Sequence, residues 1–148
     1  MFKAFSDSAI GDGEKLYSSL LKTTPINPEN SVEVNLQLPL YIPNYYYSLV
    51  GSKNYGRSSC NYETGTVAWF IMAALEELMG AKATVCGIKL SPVLPDEWDN
   101  VSVTRKFKDA TYSITYKKGE KSTVNGIPFD GEYLPYEKGK HYDVIFGI

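Results

Sequence analysis

Apolar and polar positions follow two different periods along this chain, and the change falls near residue 80. Before it, apolar residues recur at helical spacing. Phe2, Phe5 and Ala9 fall on one face of a first short helix, and Leu16, Leu20 and Leu21 on one face of a second. Between them Gly11 and Gly13 flank Asp12, which can cap the second helix. The first helix begins at Met1 with Phe2 already in the apolar pattern and no capping residue ahead of it, as the tail of something longer would. From Thr23 to Glu63 the chain is rich in Pro, Asn, Gly, Ser and Tyr, and only "SVEVNLQL" alternates like a strand. A helix over 64–80 then carries nine unbroken apolar residues, Val67 to Leu75. A helix apolar on all faces must be covered on all faces, and a largely irregular connection of this length is rare inside a compact small domain. Both predict that residues 1–80 are a fragment of a larger helical domain. Glu76 and Glu77 read as the solvated or loop-facing end of the helix, and Gly80 as its C-terminal cap.

After Gly80 the period is two. "TVCGIKLSPV", "VSVTRKFK", "ATYSITYKK", "STVNGIPF", "EYLPYE" and "HYDVIFGI" read as short strands, separated by "PDEWDN", "KGEK", "NG" and "EKGK", the turn chemistry of antiparallel sheet. The alternation places Ile88, Leu90, Val101, Val103, Tyr112, Ile114 and Ile145 inward. Strands at this spacing imply a sandwich or jelly-roll lobe, so the fold class is α+β, with the boundary near residues 80–84.

Composition changes this picture little. The chain has 148 residues, a net charge of −2 and no basic stripe, which argues against nucleic acid as the partner. No segment reaches the ~18 apolar residues of a membrane span and no signal-peptide pattern is present. A cytoplasmic protein with no membrane partner is therefore expected. Cys60 and Cys86 stand in unrelated contexts, which predicts neither a disulfide framework nor a thiolate metal site. Twelve tyrosines and two tryptophans, several in loops, suit sugar-stacking surfaces and equally an aromatic core.

Few residues carry candidate chemistry. Thr64 stands where a helix N-cap belongs, with Gly65 at the first helical position. The exposed N–H groups there can bind an anion, with glycine letting phosphate approach the backbone. A plain threonine cap beside a close-packed glycine accounts for the same residues. Asn44, the tyrosines at 45–47, Arg57 and Ser58 offer amides, hydroxyls, a guanidinium and flat apolar faces, as a sugar-binding loop requires. A loop packing its aromatics on a neighbouring domain would look alike. His141, the only histidine, lacks metal-ligand partners and reads as structural, and no strand–turn–helix nucleophile elbow supports a Ser-His-Asp triad. Asp96, Glu97 and Asp99 lie in a turn, with no sign of the cleft that paired glycosidase carboxylates flank.

Taken together, "GDGEKLY" with "TPINP", "LPLYIPNYYY", "GRSS", "ETGTVAWFIMAALEELMG", "GIKLSPVLPDEW", "VTRKFKDATYSITYKK" and "VNGIPFDGEYLP" resemble the C-terminal end of a glycoside hydrolase family 94 disaccharide phosphorylase. The resemblance runs over nearly the whole chain. The Thr-Gly helix start followed by "LSPVLPDEW" and "FKDATY" is its most specific part. It implies that residues 1–82 are the C-terminal part of an (α/α)6 barrel catalytic domain and residues 83–148 a C-terminal β-sandwich (jelly-roll) domain. The implied reaction is phosphorolysis of β-linked glucosyl disaccharides with inversion, giving an α-sugar 1-phosphate, with inorganic phosphate as co-substrate and no cofactor or metal. By the same resemblance Thr64 and Gly65 hold the phosphate, and a donor-sugar amide falls near Asn44 or Tyr45, neither of them the glutamine of cellobiose phosphorylases. Arg57 joins them as a substrate contact. The family's Asp general acid belongs upstream of Met1, so no catalytic residue is expected here and the isolated chain should be inactive. The implied partners are a disaccharide or oligosaccharide, phosphate and the remainder of the barrel, and the intact enzyme could be a homodimer. The contrasting expectation is a non-catalytic carbohydrate-binding or interaction module built on the β lobe.

Overall fold

A computed structural model describes residues 1–24, 27–29, 31–36, 42–59 and 65–148 of the chain. Thr64, Glu63 and Cys60 lie outside the described residues. The order begins with helices α1 (Phe2–Ala9) and α2 (Gly13–Thr23). Asp12 caps α2 as expected, its carboxylate accepting the Lys15 N–H at 2.9 Å. Leu16 and Leu20 are buried, while Leu21 stays exposed. In α1 the expected apolar face is not the buried one. Ala4, Asp7 and Ser8 turn inward, whereas Phe2 is 77% exposed. The small residues let α1 lie close to its neighbours, and the buried carboxylate is held by Lys3 at 2.6 Å and the Ser19 hydroxyl at 2.9 Å.

A single helical turn, α3 (Val32–Asn35), replaces the strand expected from "SVEVNLQL", whose residues 37 and 38 lie outside the described set. Leu36 ends the turn in the left-handed region at φ 54°, and the Asn35 carbonyl accepts from the Ser58 hydroxyl at 2.9 Å. Alternation this short specifies a strand only where a partner strand receives it, and here the backbone bonds locally instead. Two-residue strands β1 (Tyr45–Tyr46) and β2 (Ser58–Ser59) form an antiparallel ladder. It continues through Tyr47 N–H to Arg57 O and Gly56 N–H to Tyr47 O, each 2.9 Å.

The long apolar stretch forms α4 (Thr66–Met72) and then a π-helical segment (Ala73–Leu78). No residue of α4 is buried, and Val67, Trp69, Ile71 and Met72 are exposed. Burial starts at Ala73. The described residues thus leave uncovered the helix that was expected to need covering on all faces. The two glutamates are not a solvated end. Glu76 Oε1 meets Arg105 Nη2 at 2.7 Å with both side chains under one-quarter exposed. Glu77 takes the Ser8 hydroxyl at 2.5 Å and Lys82 at 3.0 Å.

Gly80 closes the segment at φ +63°, as the cap expectation required. A hairpin, β3 (Ala81–Thr84) with β4 (Gly87–Leu90), follows. Then comes a five-stranded sheet in the order β5 (Asn100–Phe107), β6 (Ala110–Lys117), β9 (His141–Gly147), β7 (Thr123–Val124), β8 (Ile127–Pro128). The β6–β9 ladder is parallel, so the sheet is mixed rather than wholly antiparallel. The chain between them makes the β7–β8 hairpin and returns before β9 is laid down. "NG" forms that hairpin's turn, with φ 51° at Asn125 and 76° at Gly126, the two positive values a type I′ turn needs. "EYLPYE" is not a strand. It is a loop on the surface that buries Leu134 in the core, with the Leu134 N–H bonding Ile88 O at 2.8 Å.

The inward column joins Val103, Ile114, Val144 and Val124 across four strands, with Val101, Tyr116 and Phe146 beside it. Ile88, Leu90, Val101, Val103, Tyr112 and Ile114 lie in this core as expected. Ile145 does not: Tyr142, Val144 and Phe146 point inward on β9. Two adjacent apolar residues, Ile145 and Phe146, leave the phase of that strand ambiguous by pattern alone, and pairing with Tyr112, Ile114 and Tyr116 decides it. A second cluster gathers Ala4, Leu16, Leu20, Ala73 and Leu78, and Leu94 and Trp98 pack against both.

Three outcomes follow for stability. A Cβ on Gly80 would stand 2.2 Å from the Ser91 carbonyl carbon and Pro92 nitrogen. Gly80→Ala should therefore cost more than ~2 kcal/mol in a thermal or chemical melt. Gly126→Ala meets open space and should cost only the ~1–2 kcal/mol of a left-handed alanine. Burial pushes the Tyr112 phenol up from 10.0 to about 12, with Tyr142 and Tyr136 adding to it, and burial also raises Tyr116. The unfolded chain then releases these protons first. Their contribution to stability should be complete below pH 10 and fall as pH rises toward 12, read as unfolding together with tyrosinate absorbance. Phenols that ionise near pH 10 with the fold intact would contradict this burial.

Candidate functional site

Gly65 is itself the N-cap, one position later than expected: its carbonyl accepts the Trp69 N–H at 3.0 Å. Its φ of −72° is open to any residue, so the glycine is not there for a left-handed turn. The space there is close but not closed. A Cβ would stand 3.3 Å from Trp69 Nε1 and 3.4 Å from Cδ1, so the indole edge lies close against the start of the helix.

Above that start is a cavity of about 300 Å³ lined by Met1, Phe2, Asn44, Gly65, Thr66 and Trp69. Asn44 and Gly65, singled out separately in the sequence, meet here. They are joined through Thr66, whose hydroxyl donates to Asn44 Oδ1 at 3.0 Å. Asn44 is held in turn by its N–H on the Ser59 carbonyl at 3.3 Å. Tyr45 sits one residue on in β1, its ring edge-on to Tyr47 at 5.5 Å. Arg57 lies at the other end of the small ladder, its guanidinium donating to Asn54 Oδ1 at 3.0 Å. Neither lines the cavity. Thr64 falls outside the described residues.

The described lining thus offers an amide, a hydroxyl, an indole and helix-start backbone, with no charged side chain. It can orient a polar ligand and present an aromatic face, but it cannot by itself neutralise a phosphate. Thr66 and Trp69 are the lining residues that sequence reasoning did not single out. The Thr-Gly-Thr run contained the first. Trp69, four residues after Gly65 on the same helical face, could have been found from spacing.

Phe2, Phe5, Trp69 and Met72 surround a neighbouring apolar hollow, where Phe2 and Phe5 meet the Trp69 ring edge-on at 5.2 and 5.8 Å. Among the described residues no helix is long and apolar enough to cross a membrane, and no group of three or more His, Cys, Asp or Glu side chains could hold a metal ion.

Ser113, His141 and Asp143 do come together on the exposed side of the sheet. Both oxygens address the same ring nitrogen, with His141 Nε2 3.1 Å from Ser113 Oγ and 3.3 Å from Asp143 Oδ1. A nucleophilic triad needs the acid on one imidazole nitrogen and the serine on the other, so this trio is a surface hydrogen-bond cluster. Asp96 and Asp99 are exposed and engaged with Lys118, through the Asp96 carbonyl at 3.0 Å and the Asp99 carboxylate at 3.1 Å. His141→Ala should change stability by no more than ~0.5 kcal/mol in a thermal melt, the range of a surface substitution. A loss well above that would show that the cluster holds the sheet together.

No family model matches the chain. Individual relatives do. It is 39% identical to a 3-O-beta-D-glucopyranosyl-beta-D-glucuronide phosphorylase of Paenibacillus borealis, over 97% of this chain and 20% of that protein. It is 38% identical to a cellobionic acid phosphorylase of Neurospora crassa, over 60% of the chain and 11% of the relative. An N,N'-diacetylchitobiose phosphorylase of Vibrio proteolyticus is 26% identical over 95% of the chain and 18% of its own length. The chain therefore spans about a fifth, or less, of the curated relatives it matches. With identity this high across nearly all of its residues, the chain belongs to the disaccharide phosphorylases, as a segment of that family's longer proteins.

Proposed function

We propose that this segment forms one wall of the active site in an inverting, family 94-type phosphorylase of β-linked glucosyl disaccharides. In that role residues 1–82 are the last helices of an (α/α)6 barrel and residues 83–148 a jelly-roll domain. The observation that carries the proposal is the cavity at the start of α4, where Asn44, Gly65 and Thr66 converge. The exposed apolar side of α4 supports the barrel assignment, since so many large side chains on one helix call for covering protein.

The helix start, with Thr64 beside Gly65, receives inorganic phosphate, and the amide of Asn44 faces the donor sugar, with Tyr45 and Arg57 on the adjoining loop. A phosphate oxygen attacks the anomeric carbon as the glycosidic C–O bond breaks. A carboxylic acid from another part of the enzyme gives its proton to the departing sugar oxygen. One displacement inverts the anomeric centre, so a β-linkage yields an α-sugar 1-phosphate. The cavity lining lacks charge, so the cations that balance phosphate, like the acid, come from the remainder of the protein.

The test is kinetic, in the full-length enzyme that contains this segment. Thr64→Val removes a hydroxyl donor while keeping shape, and a lost hydrogen bond to a charged group costs roughly 1.5–3 kcal/mol. The KM for phosphate should rise about ten- to a hundredfold, with disaccharide affinity little changed. Gly65→Val, which fills the approach to the backbone and crowds Trp69, should do the same or worse. The segment alone should form no sugar 1-phosphate. Unaltered phosphate dependence in a folded Thr64→Val enzyme would take phosphate away from this helix start.

A further inference from the structure

Three features outside the phosphate step invite a function. The groove between α1 and α2 carries Lys3, Lys15 and Lys22, but Lys3 and Lys15 are bound to Asp7 and Asp12. The hollow beside Pro95, Trp98 and Lys118 is part of the seam between helices and sheet. The hydrogen bond between Thr66 and Asn44 is different, because it joins two residues 22 apart that line one cavity.

We propose that Thr66 is a positioning residue: its hydroxyl ties the loop carrying Asn44 to the helix start at Gly65, so that the sugar and phosphate halves of the site are held in fixed register. This rests on the assignment of those two halves given above. The tie has the right parts. Thr66 is the first residue of α4, half-buried, and β-branching restricts its χ1, so the hydroxyl has few directions to choose from. Gly65, one residue before it, is fixed by the first turn of the helix through the Trp69 N–H.

On the other side, Asn44 is itself exposed, between buried Pro43 and exposed Tyr45. The Ser59 carbonyl takes its backbone N–H and the Thr66 hydroxyl donates to its side chain. With Oδ1 turned to Thr66, the orientation of the whole amide plane is set from the helix. A change at Asn44 is then felt at Gly65, and the reverse. In a reaction that joins a phosphate oxygen to an anomeric carbon, small misplacements of one partner relative to the other are costly.

The test uses the full-length enzyme containing this segment, with phosphate and the disaccharide varied separately. Thr66→Val should raise the KM for both substrates by about 3- to 10-fold, the worth of one neutral hydrogen bond, and lower kcat as well. Thr66→Ser, which keeps the donor, should recover most of the loss. Asn44→Ala should raise the phosphate KM as well as the sugar KM, although Asn44 is not the phosphate contact. The Asn44→Ala/Thr66→Val double variant should be no worse than Asn44→Ala alone.

Additive losses in the double variant, or an Asn44→Ala enzyme with unchanged phosphate KM, would overturn the coupling. The Asn44→Ala measurement survives even if Thr66→Val fails to fold, since it truncates an exposed side chain. A loss that serine does not rescue, with both KM values unchanged, would make Thr66 merely structural. The Thr64 and Gly65 variants separate this from failure of the underlying assignment: if they leave phosphate dependence untouched, the phosphate step itself is misplaced, whatever Thr66 does.

Discussion

Residues 78–80 lie in backbone contact with residues 91–93, and the order of everything after the last helix depends on that contact. The Ser91 N–H bonds Gly80 O at 2.9 Å and the Val93 N–H bonds Leu78 O at 3.1 Å. The Tyr116 hydroxyl, from the middle of the sheet, donates to the Met79 carbonyl. Only a residue without a Cβ fits at Gly80. The orphan carbonyls at the end of the helical segment are thus satisfied by Ser91, Val93 and Tyr116. Arg105 on β5, reaching Glu76 one turn earlier, fixes the rotation of the same helix.

Around that joint the stretch "LSPVLPDEW" works as a seam. Leu94 and Trp98 contribute to both apolar clusters, and Trp98 meets Tyr17 of α2 edge-on at 4.8 Å. Gly13 brings the start of α2 so close that a Cβ would lie 2.1 Å from the Leu94 carbonyl oxygen. Helices and sheet are therefore not beads on a string. The C-terminal end of the long helical stretch is anchored by close backbone contact, while its N-terminal end, with Gly65 and Thr66, faces the cavity and meets the tyrosine-rich loop through the bond from Thr66 to Asn44.

Local chemistry was legible in the sequence and long-range covering was not. The Asp12 cap, the Gly80 cap, the Asn125–Gly126 turn and the strands over 100–117 all follow from residues that act on their immediate neighbours. The face of α1 did not, because Phe2 and Phe5 show the same spacing whether they pack on this segment or on something else. Phase on β9 was undecidable where Ile145 and Phe146 adjoin, and was set by the parallel ladder to β6. Arg105 was a missed signal: a charged residue in phase with Val101, Val103 and Phe107 asks for a buried acidic partner, and Glu76 is that partner. In the candidate site, Asn44 and Gly65 were each marked by type and neighbourhood. Nothing in the spacing of 21 residues between them could announce that they share a cavity, and Tyr45 and Arg57, equally suitable by type, do not line it.

The central claim is that phosphate sits at the start of α4 and shares a cavity with Asn44. It is tested most directly by a crystal structure of the full-length enzyme with phosphate and the product sugar bound. The account predicts a phosphate oxygen within ~3 Å of the Gly65 backbone N–H or the Thr64 hydroxyl. It also predicts Asn44 against the sugar with its Oδ1 still on Thr66, and the exposed side of α4 covered by other helices. Phosphate bound away from this helix start, with the cavity closed or filled by protein, would contradict it.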